Sequence, residues 1–233
     1  MAKPAVYRSP RSAAVAACIL LAVCGAATVL ELIADLKLFR MADDAITDLS
    51  SVDLAAADDA DHFAQLASVV SLVALIASGV TFITWFHRAR VNAEAFDYGR
   101  QQRGRGWAIG GWFVPFMALW VPRQIAGDIW WSSGRPDGNG VPQPASPALL
   151  NFWWAAFMGG NILGQVGARL GGKATDMESF RTGAALEAAG DALMIVAAVL
   201  AVLVVRKVTA MQEAKHAELA AQAYGRPAGA VHA

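Results

Sequence analysis

The sequence lacks the residue patterns on which catalytic and metal sites usually depend. Its two cysteines, Cys18 and Cys24, lie six positions apart in one apolar stretch, a spacing that neither chelates a metal nor closes a disulfide within a helix. The four histidines fall on different predicted loops or in the tail. Glycines between positions 104 and 111 lack the preceding strand that a phosphate-binding loop requires. We therefore predict no catalytic residue, no cofactor and no metal site, and an enzyme is disfavoured.

Excess charge of either sign is also missing. Nineteen basic and nineteen acidic residues give a formal net charge of +0, so no global field would recruit nucleic acid. Charged residues make up only 16% of the chain, hydrophobic residues make up 56%, and the mean hydropathy is +0.41. This composition is typical of a small integral membrane protein, and the lipid bilayer is the expected partner.

Four uncharged stretches are long enough to predict transmembrane helices in an all-α membrane protein. The first continues past the end of a signal-peptide core, which favours an uncleaved helix. In chain order the predicted segments are a cytoplasmic amino end (1–11), transmembrane helix 1 (12–35), an acidic extracytoplasmic loop (36–62), helix 2 (63–86), a basic cytoplasmic loop (87–105), a Trp/Pro-rich element (106–133), a flexible linker (134–147), helix 3 (148–168), an outer loop (169–183), helix 4 (184–205) and a cytoplasmic tail (206–233).

The orientation follows from the distribution of basic residues. Positions 41–62 contain seven aspartates and no lysine or arginine, which predicts an extracytoplasmic loop. With four crossings, 14 basic residues lie inside and 5 outside, whereas a fifth crossing by the Trp/Pro-rich element would give 11 and 8. The positive-inside rule therefore favours four crossings with both termini cytoplasmic.

The Trp/Pro-rich element holds five of the eight tryptophans and two prolines seven residues apart. In a topology with four crossings, all eight tryptophans would lie at the cytoplasmic interface, which is the layer that indole prefers. Pro122 suits the first turn of a helix, after which Ile125, Ala126, Ile129 and Trp130 form an apolar stripe opposite Gln124 and Asp128. We predict an interfacial or re-entrant helical element, with a full crossing by 106–122 left open by the sequence.

Polar residues inside the predicted spans form the second candidate site. Two carboxylate pairs are spaced i, i+4, so each pair shares a helix face, and Asp191 lies deepest. One hypothesis is an outer vestibule for a cation, a proton or a small solute; the other, which the sequence favours, is a structural salt bridge to Arg169 and Lys173. The predicted cluster comprises Glu31, Asp35, Asn161, Gln165, Arg169, Glu187 and Asp191.

The third predicted helix also carries glycines at small-xxx-small spacing, namely Gly160 with Gly164 and Gly167 with Gly171. Such spacing lets two helix backbones approach closely, so these glycines are predicted to form a packing face.

Three segments carry a resemblance to a known family: HRARVNAEAF at 87–96, GWFVPFMALWVPRQIAGDIWWSS at 111–133 and RKVTAMQE at 206–213. Together they resemble a bacterial, largely actinobacterial, family of membrane proteins known as domain of unknown function 4328. The chain departs from the family pattern at Val121 and Arg123. The resemblance implies a multi-pass protein of the bacterial cell membrane and brings no activity. The signature and interfacial residues are Trp107, Trp112, Pro115, Leu119, Trp120, Pro122, Gln124, Asp128, Trp130 and Trp131.

Two classes of function follow from these patterns. The first is a non-catalytic membrane module, a scaffold or sensor that binds a membrane or cytoplasmic protein partner through its amphipathic element. The alternative is a small transporter or channel subunit with an outer carboxylate cluster around Asp191. The sequence does not assign an oligomeric state.

Overall fold

The chain folds into long helices in a computed structural model that describes residues 5–48, 53–136, 142–143 and 146–224. Outside the helices, the described residues include one short antiparallel ladder, in which β1 (Arg135–Pro136) pairs with β2 (Pro142–Gln143). The helices of the described residues are α1 (Arg11–Thr47), α2 (Leu54–Phe96), α3 (Trp107–Gly110), α4 (Val121–Ser133), α5 (Ala148–Gly171) and α6 (Met177–Tyr224), and a 3-10 turn lies at Met117–Leu119.

Three helices of the described chain are long and apolar enough to cross a membrane: α1, α2 and α6. The helical class is confirmed, but only three of the four predicted transmembrane helices are long and apolar enough by length and composition. The predicted third span does form a helix, α5. Its hydropathy is lowered by Asn151, Asn161 and Gln165 and by its tryptophans and glycines, so it does not join the other three.

The helices extend beyond the predicted spans. Helix α1 continues to Thr47, and α2 begins at Leu54, so most of the predicted acidic loop is helical. Asp53 starts α2 by accepting a hydrogen bond from the Ala55 backbone at 2.9 Å, and Asp176 does the same for Ser179 near the start of α6 at 2.8 Å. Carboxylates satisfy the free amides of a first helical turn, so aspartates that signal a loop by composition also begin helices.

The chain divides into two compact units, each drawn from several segments. We call the first the aromatic unit, which comprises Met1–Ala16, Phe82–Leu150 and Leu203–Ala233. The second, the carboxylate unit, comprises Ala17–Thr81 and Asn151–Val202.

In the carboxylate unit, α5 and α6 approach each other at glycines. A Cβ atom added to Gly167 would lie 2.7 Å from the Glu187 backbone nitrogen, and one added to Gly160 would lie 2.8 Å from the Met194 side chain. The α6 side of this contact was not predicted: a Cβ atom added to Gly190 or to Gly183 would lie 2.7 Å or 2.6 Å, respectively, from the α5 backbone. Glycine is required here because no larger residue fits between the two backbones.

Where Gly190 approaches Gly164, a substitution should destabilise only on the Gly190 side. Gly190→Ala would drive a methyl group into the Gly164 backbone, which cannot move aside, and should cost about 2 kcal/mol. In contrast, a Cβ on Gly164 meets nothing within 4 Å. Gly164→Ala should therefore leave stability unchanged or raise it slightly, because alanine is the better helix former. Thermal unfolding in detergent compares the two variants, and equal melting temperatures would contradict the contact.

The Trp/Pro-rich segment belongs to the aromatic unit and is broken into α3, the 3-10 turn and α4. Pro122 occupies the start of α4. The apolar stripe of α4 does not face outward, however, since Ile125, Ile129 and Trp130 are each at most 2% exposed. Helix α4 therefore packs its apolar face inside the protein and does not present it to lipid or to a partner. Periodicity identified an apolar face but not the surface that covers it.

Candidate functional site

A cavity of about 90 Å³ in the carboxylate unit gathers the acidic side chains from two helices. Glu31 and Asp35 lie one turn apart on α1, and Glu187 and Asp191 lie one turn apart on α6. Helices α2 and α5 line the rest of the cavity with small residues, so side chains do not fill it. The lining residues are Glu31, Ala34, Asp35, Ala64, Ser68, Gly164, Glu187 and Asp191.

Basic residues do not neutralise this group in the described structure. Arg169 and Lys173, the predicted counter-charges, are exposed and form no ion pair with the four carboxylates. Elsewhere in the unit, Arg181 pairs with Asp43 at 2.8 Å, and Lys37 lies 4.4 Å from the centre of the Phe63 ring. The other two residues of the predicted polar cluster do not line the cavity. Asn161 donates a hydrogen bond to the Phe157 carbonyl at 2.8 Å, and Gln165 is exposed.

The chemistry available to the cavity is set by this excess of negative charge. Asp191 places its Oδ2 atom out of contact with solvent and without a hydrogen-bond partner. An ionised carboxylate is costly to bury without a partner, and like charges around one space increase the cost. The arrangement therefore suits an incoming proton or cation that would reduce the charge.

In the aromatic unit, the three family-like segments meet at a buried polar junction. Asn92 on α2 donates to the Gln212 side-chain oxygen at 3.0 Å, and Gln212 donates to the Ser133 hydroxyl at 3.3 Å. The amide of Asn92 also donates to the Arg8 carbonyl at 2.9 Å. Nearby, the Trp85 indole donates to Thr209 at 3.1 Å. Each partner satisfies a group that would be costly to bury alone, so the junction fixes the helices together.

A second buried group links α2 to the segment before α3. The Glu94 carboxylate lies 2.8 Å from the Arg105 guanidinium and 3.0 Å from that of Arg90, whose side chain is only 2% exposed. Hydrogen bonding from Arg105, and then from Arg90, lowers the pKa of Glu94 below its ordinary value although burial acts in the opposite direction. Arg90 also donates to the Arg103 carbonyl.

The signature residues divide between exposed and buried positions. Trp120 and Leu119 are exposed at 44% and 48%, whereas Pro122 is buried. Gln124 accepts hydrogen bonds from Arg103, and burial raises the pKa of the half-buried Asp128. Arginines cover two of the half-buried indoles: Arg103 lies over Trp107 and Arg100 over Trp131. The remaining positions are the half-buried Trp112, the exposed Pro115 and the buried Trp130.

Sequence reasoning did not single out Asn92, Glu94 or Gln212. Asn92 and Gln212 are both 0% exposed, although each lies on a helix within two residues of a charged residue. Their position inside segments 87–96 and 206–213, which carry the family resemblance, could have identified them. A polar residue within such a helical segment can make a tertiary contact.

A family model described as Domain of unknown function (DUF4328) matches residues 48–210. This range includes α2, the Trp/Pro-rich segment, α5 and most of α6. No curated protein and no solved structure matches the chain.

Proposed function

The chain belongs to the family described as Domain of unknown function (DUF4328), and, because that description assigns no activity, we propose a function from the cavity itself. The protein is a small membrane transporter or channel subunit that takes up protons at Asp191. The observation that carries this proposal is the buried Asp191 Oδ2 atom, which lacks a hydrogen-bond partner in a cavity lined by four carboxylates.

The charge of the site supports a cation over an anion or a neutral solute. Within the described residues, no three His, Cys, Asp or Glu side chains converge to hold a metal ion, so the proton is the cation that the proposal adopts. Reversible protonation needs only one carboxylate oxygen. The proton would come from water and return to water, with the other three carboxylates raising the affinity of Asp191 for it.

The scaffold hypothesis has less support, because the apolar stripe of α4 is already covered. Lipid contact, and a membrane or cytoplasmic protein partner, would have to involve other surfaces. A structural salt bridge, the alternative interpretation of the carboxylates, would need a basic residue, and the described lining of the cavity contains none.

The proposed topology has four crossings in a bacterial cell membrane, with both termini cytoplasmic. Its support is the positive-inside rule and the close contact of α5 with α6 at Gly190 and Gly167, which would carry the less apolar α5 through the bilayer beside α6. Labelling of a cysteine at position 140 from the outside by a membrane-impermeant reagent would contradict this topology.

Proton movement can be measured with the purified chain in liposomes that contain a pH-sensitive dye. A potassium gradient and valinomycin impose a membrane potential that drives protons inward. We expect faster acidification than in protein-free liposomes, and no such difference would overturn the proposal. Protein incorporation is checked by flotation, so that a negative result reports on the function.

A further inference from the structure

The loop between α3 and α4 exposes apolar side chains next to a membrane-spanning helix. We call residues 109–120, from the last two residues of α3 to the residue before α4, the aromatic loop. Phe113 and Phe116 are 71% and 78% exposed, the largest fractions in the loop. Its other exposed large apolar residues are Ile109, Val114, Leu119 and Trp120. Such a concentration of exposed apolar surface is uncommon on a protein face that meets water.

The backbone holds Phe116 outward in a strained conformation. Phe116 has φ 62° and ψ −46°, and the Met117 amide donates to the Pro115 carbonyl at 2.7 Å, so residues 115–117 form a γ-turn. It is the one non-glycine residue with positive φ among those that the structure describes. A strained backbone persists where the surroundings require it, and it is common at functional positions.

Contacts of Trp112 show which part of α2 the aromatic loop lies beside. The Trp112 ring meets the rings of Phe82 and Phe86 edge-on, at centroid distances of 5.7 Å and 5.9 Å. Those two residues end the uncharged stretch of α2, and Arg88 and Arg90 follow at once. The aromatic loop therefore lies level with the point where apolar sequence gives way to charge, which is the depth of a membrane interface.

We propose that Phe113 and Phe116 insert into the interfacial layer of the bilayer that α2 crosses. The continuity of the loop with the end of this apolar helix identifies lipid as the occupant of its exposed face. Phenylalanine is among the apolar residues that interfacial elements bury at the boundary between headgroups and acyl chains. The lipid-contacting part of the Trp/Pro-rich segment is then the aromatic loop, and α4 forms part of the protein interior.

Collision accessibility of a nitroxide label tests the insertion in the full chain. Cys18→Ala and Cys24→Ala first remove the native thiols, and Phe116→Cys then carries the label in lipid nanodiscs. Oxygen concentrates in the bilayer, whereas a nickel chelate stays in water. Tyr98→Cys is the matched water-facing control because Tyr98 is 79% exposed beyond the end of α2, and Val73→Cys, 63% exposed inside the apolar stretch, is the bilayer reference.

We expect the oxygen-to-nickel collision ratio at position 116 to exceed that at position 98 several-fold and to approach the ratio at position 73. A label at Phe113→Cys should behave in the same way and covers the case in which one variant fails to fold. Ratios at both positions equal to that at 98 would overturn the proposal. This result does not depend on proton transport by the cavity, so the two proposals can fail separately.

Discussion

Glu94→Gln is expected to lower the free energy of unfolding by about 3 to 5 kcal/mol, the usual cost of leaving a buried charge without its partner. The neutral amide cannot balance Arg90, whose side chain is 2% exposed, and it would also weaken the contact with Arg105. Thermal or denaturant unfolding in detergent measures the change. The matched control is Asp97→Asn, three residues away, because its pair with Arg100 is substantially exposed and should contribute at most about 1 kcal/mol.

The same substitution should remove a defined pH dependence. Since Arg105 and Arg90 lower the pKa of Glu94 in the folded protein, the unfolded chain binds the proton more tightly. The stabilisation by this carboxylate is therefore present above its ordinary pKa of 4.5 and is lost as the pH falls through the lower folded value. Glu94→Gln should flatten that part of the stability profile. A profile equally steep in the variant would show that Glu94 does not contribute to it.

Asp191→Asn is expected to act in the opposite direction and raise stability, most strongly at alkaline pH, where Asp191 is most fully ionised. Asparagine then removes one charge from a group of like charges, and any two unit charges on the order of 8 Å apart repel by about 2 kcal/mol at an effective dielectric constant of about 20. At about 2 to 4 °C per kcal/mol for a chain of this size, the melting temperature should rise by several degrees. Groups retained for function often reduce stability, which is why the melting temperature is expected to rise when Asp191 is replaced.

The salt-bridge interpretation predicts the reverse, so the sign of this change separates the two accounts. If Asp191 and Arg169 stabilised each other, Asp191→Asn and Arg169→Gln should both lower the melting temperature. The cavity account expects Arg169→Gln to be nearly neutral, because Arg169 is exposed and forms no ion pair with the cavity carboxylates in the described structure.

Local patterns in the sequence were enough to predict the helical class and the two carboxylate pairs. Spacing of i, i+4 places Glu31 with Asp35 and Glu187 with Asp191 whatever the tertiary fold. It does not determine which charges face them, and Arg169, chosen from its place in the predicted topology, lies outside the cavity. Apolar length predicted four spans, but only α1, α2 and α6 of the described helices are long and apolar enough to cross a membrane. The polar residues of α5 lower its hydropathy.

Contacts between distant segments could not be read from periodicity. The pairing of Asn92 with Gln212 joins residues 120 positions apart, and neither helix carries a local signal for its partner. The buried stripe of α4 shows the same limit, since an apolar face on a short helix can meet lipid or protein equally well. The α6 glycines at 183 and 190 are seven residues apart, which is about two helical turns. Only the contact with α5 shows that glycine is required at these positions.

The measurement that tests the central claim most directly is proton flux through liposomes containing wild type, Asp191→Asn or Asp59→Asn at equal protein content. Asp59 is an exposed acid on α2, so its variant removes the same charge outside the cavity. The account predicts that Asp191→Asn reduces the flux at least about tenfold, a change in barrier of about 1.4 kcal/mol or more, while Asp59→Asn retains it. Equal flux from Asp191→Asn and wild type would contradict the assignment of Asp191 as the group that takes up protons.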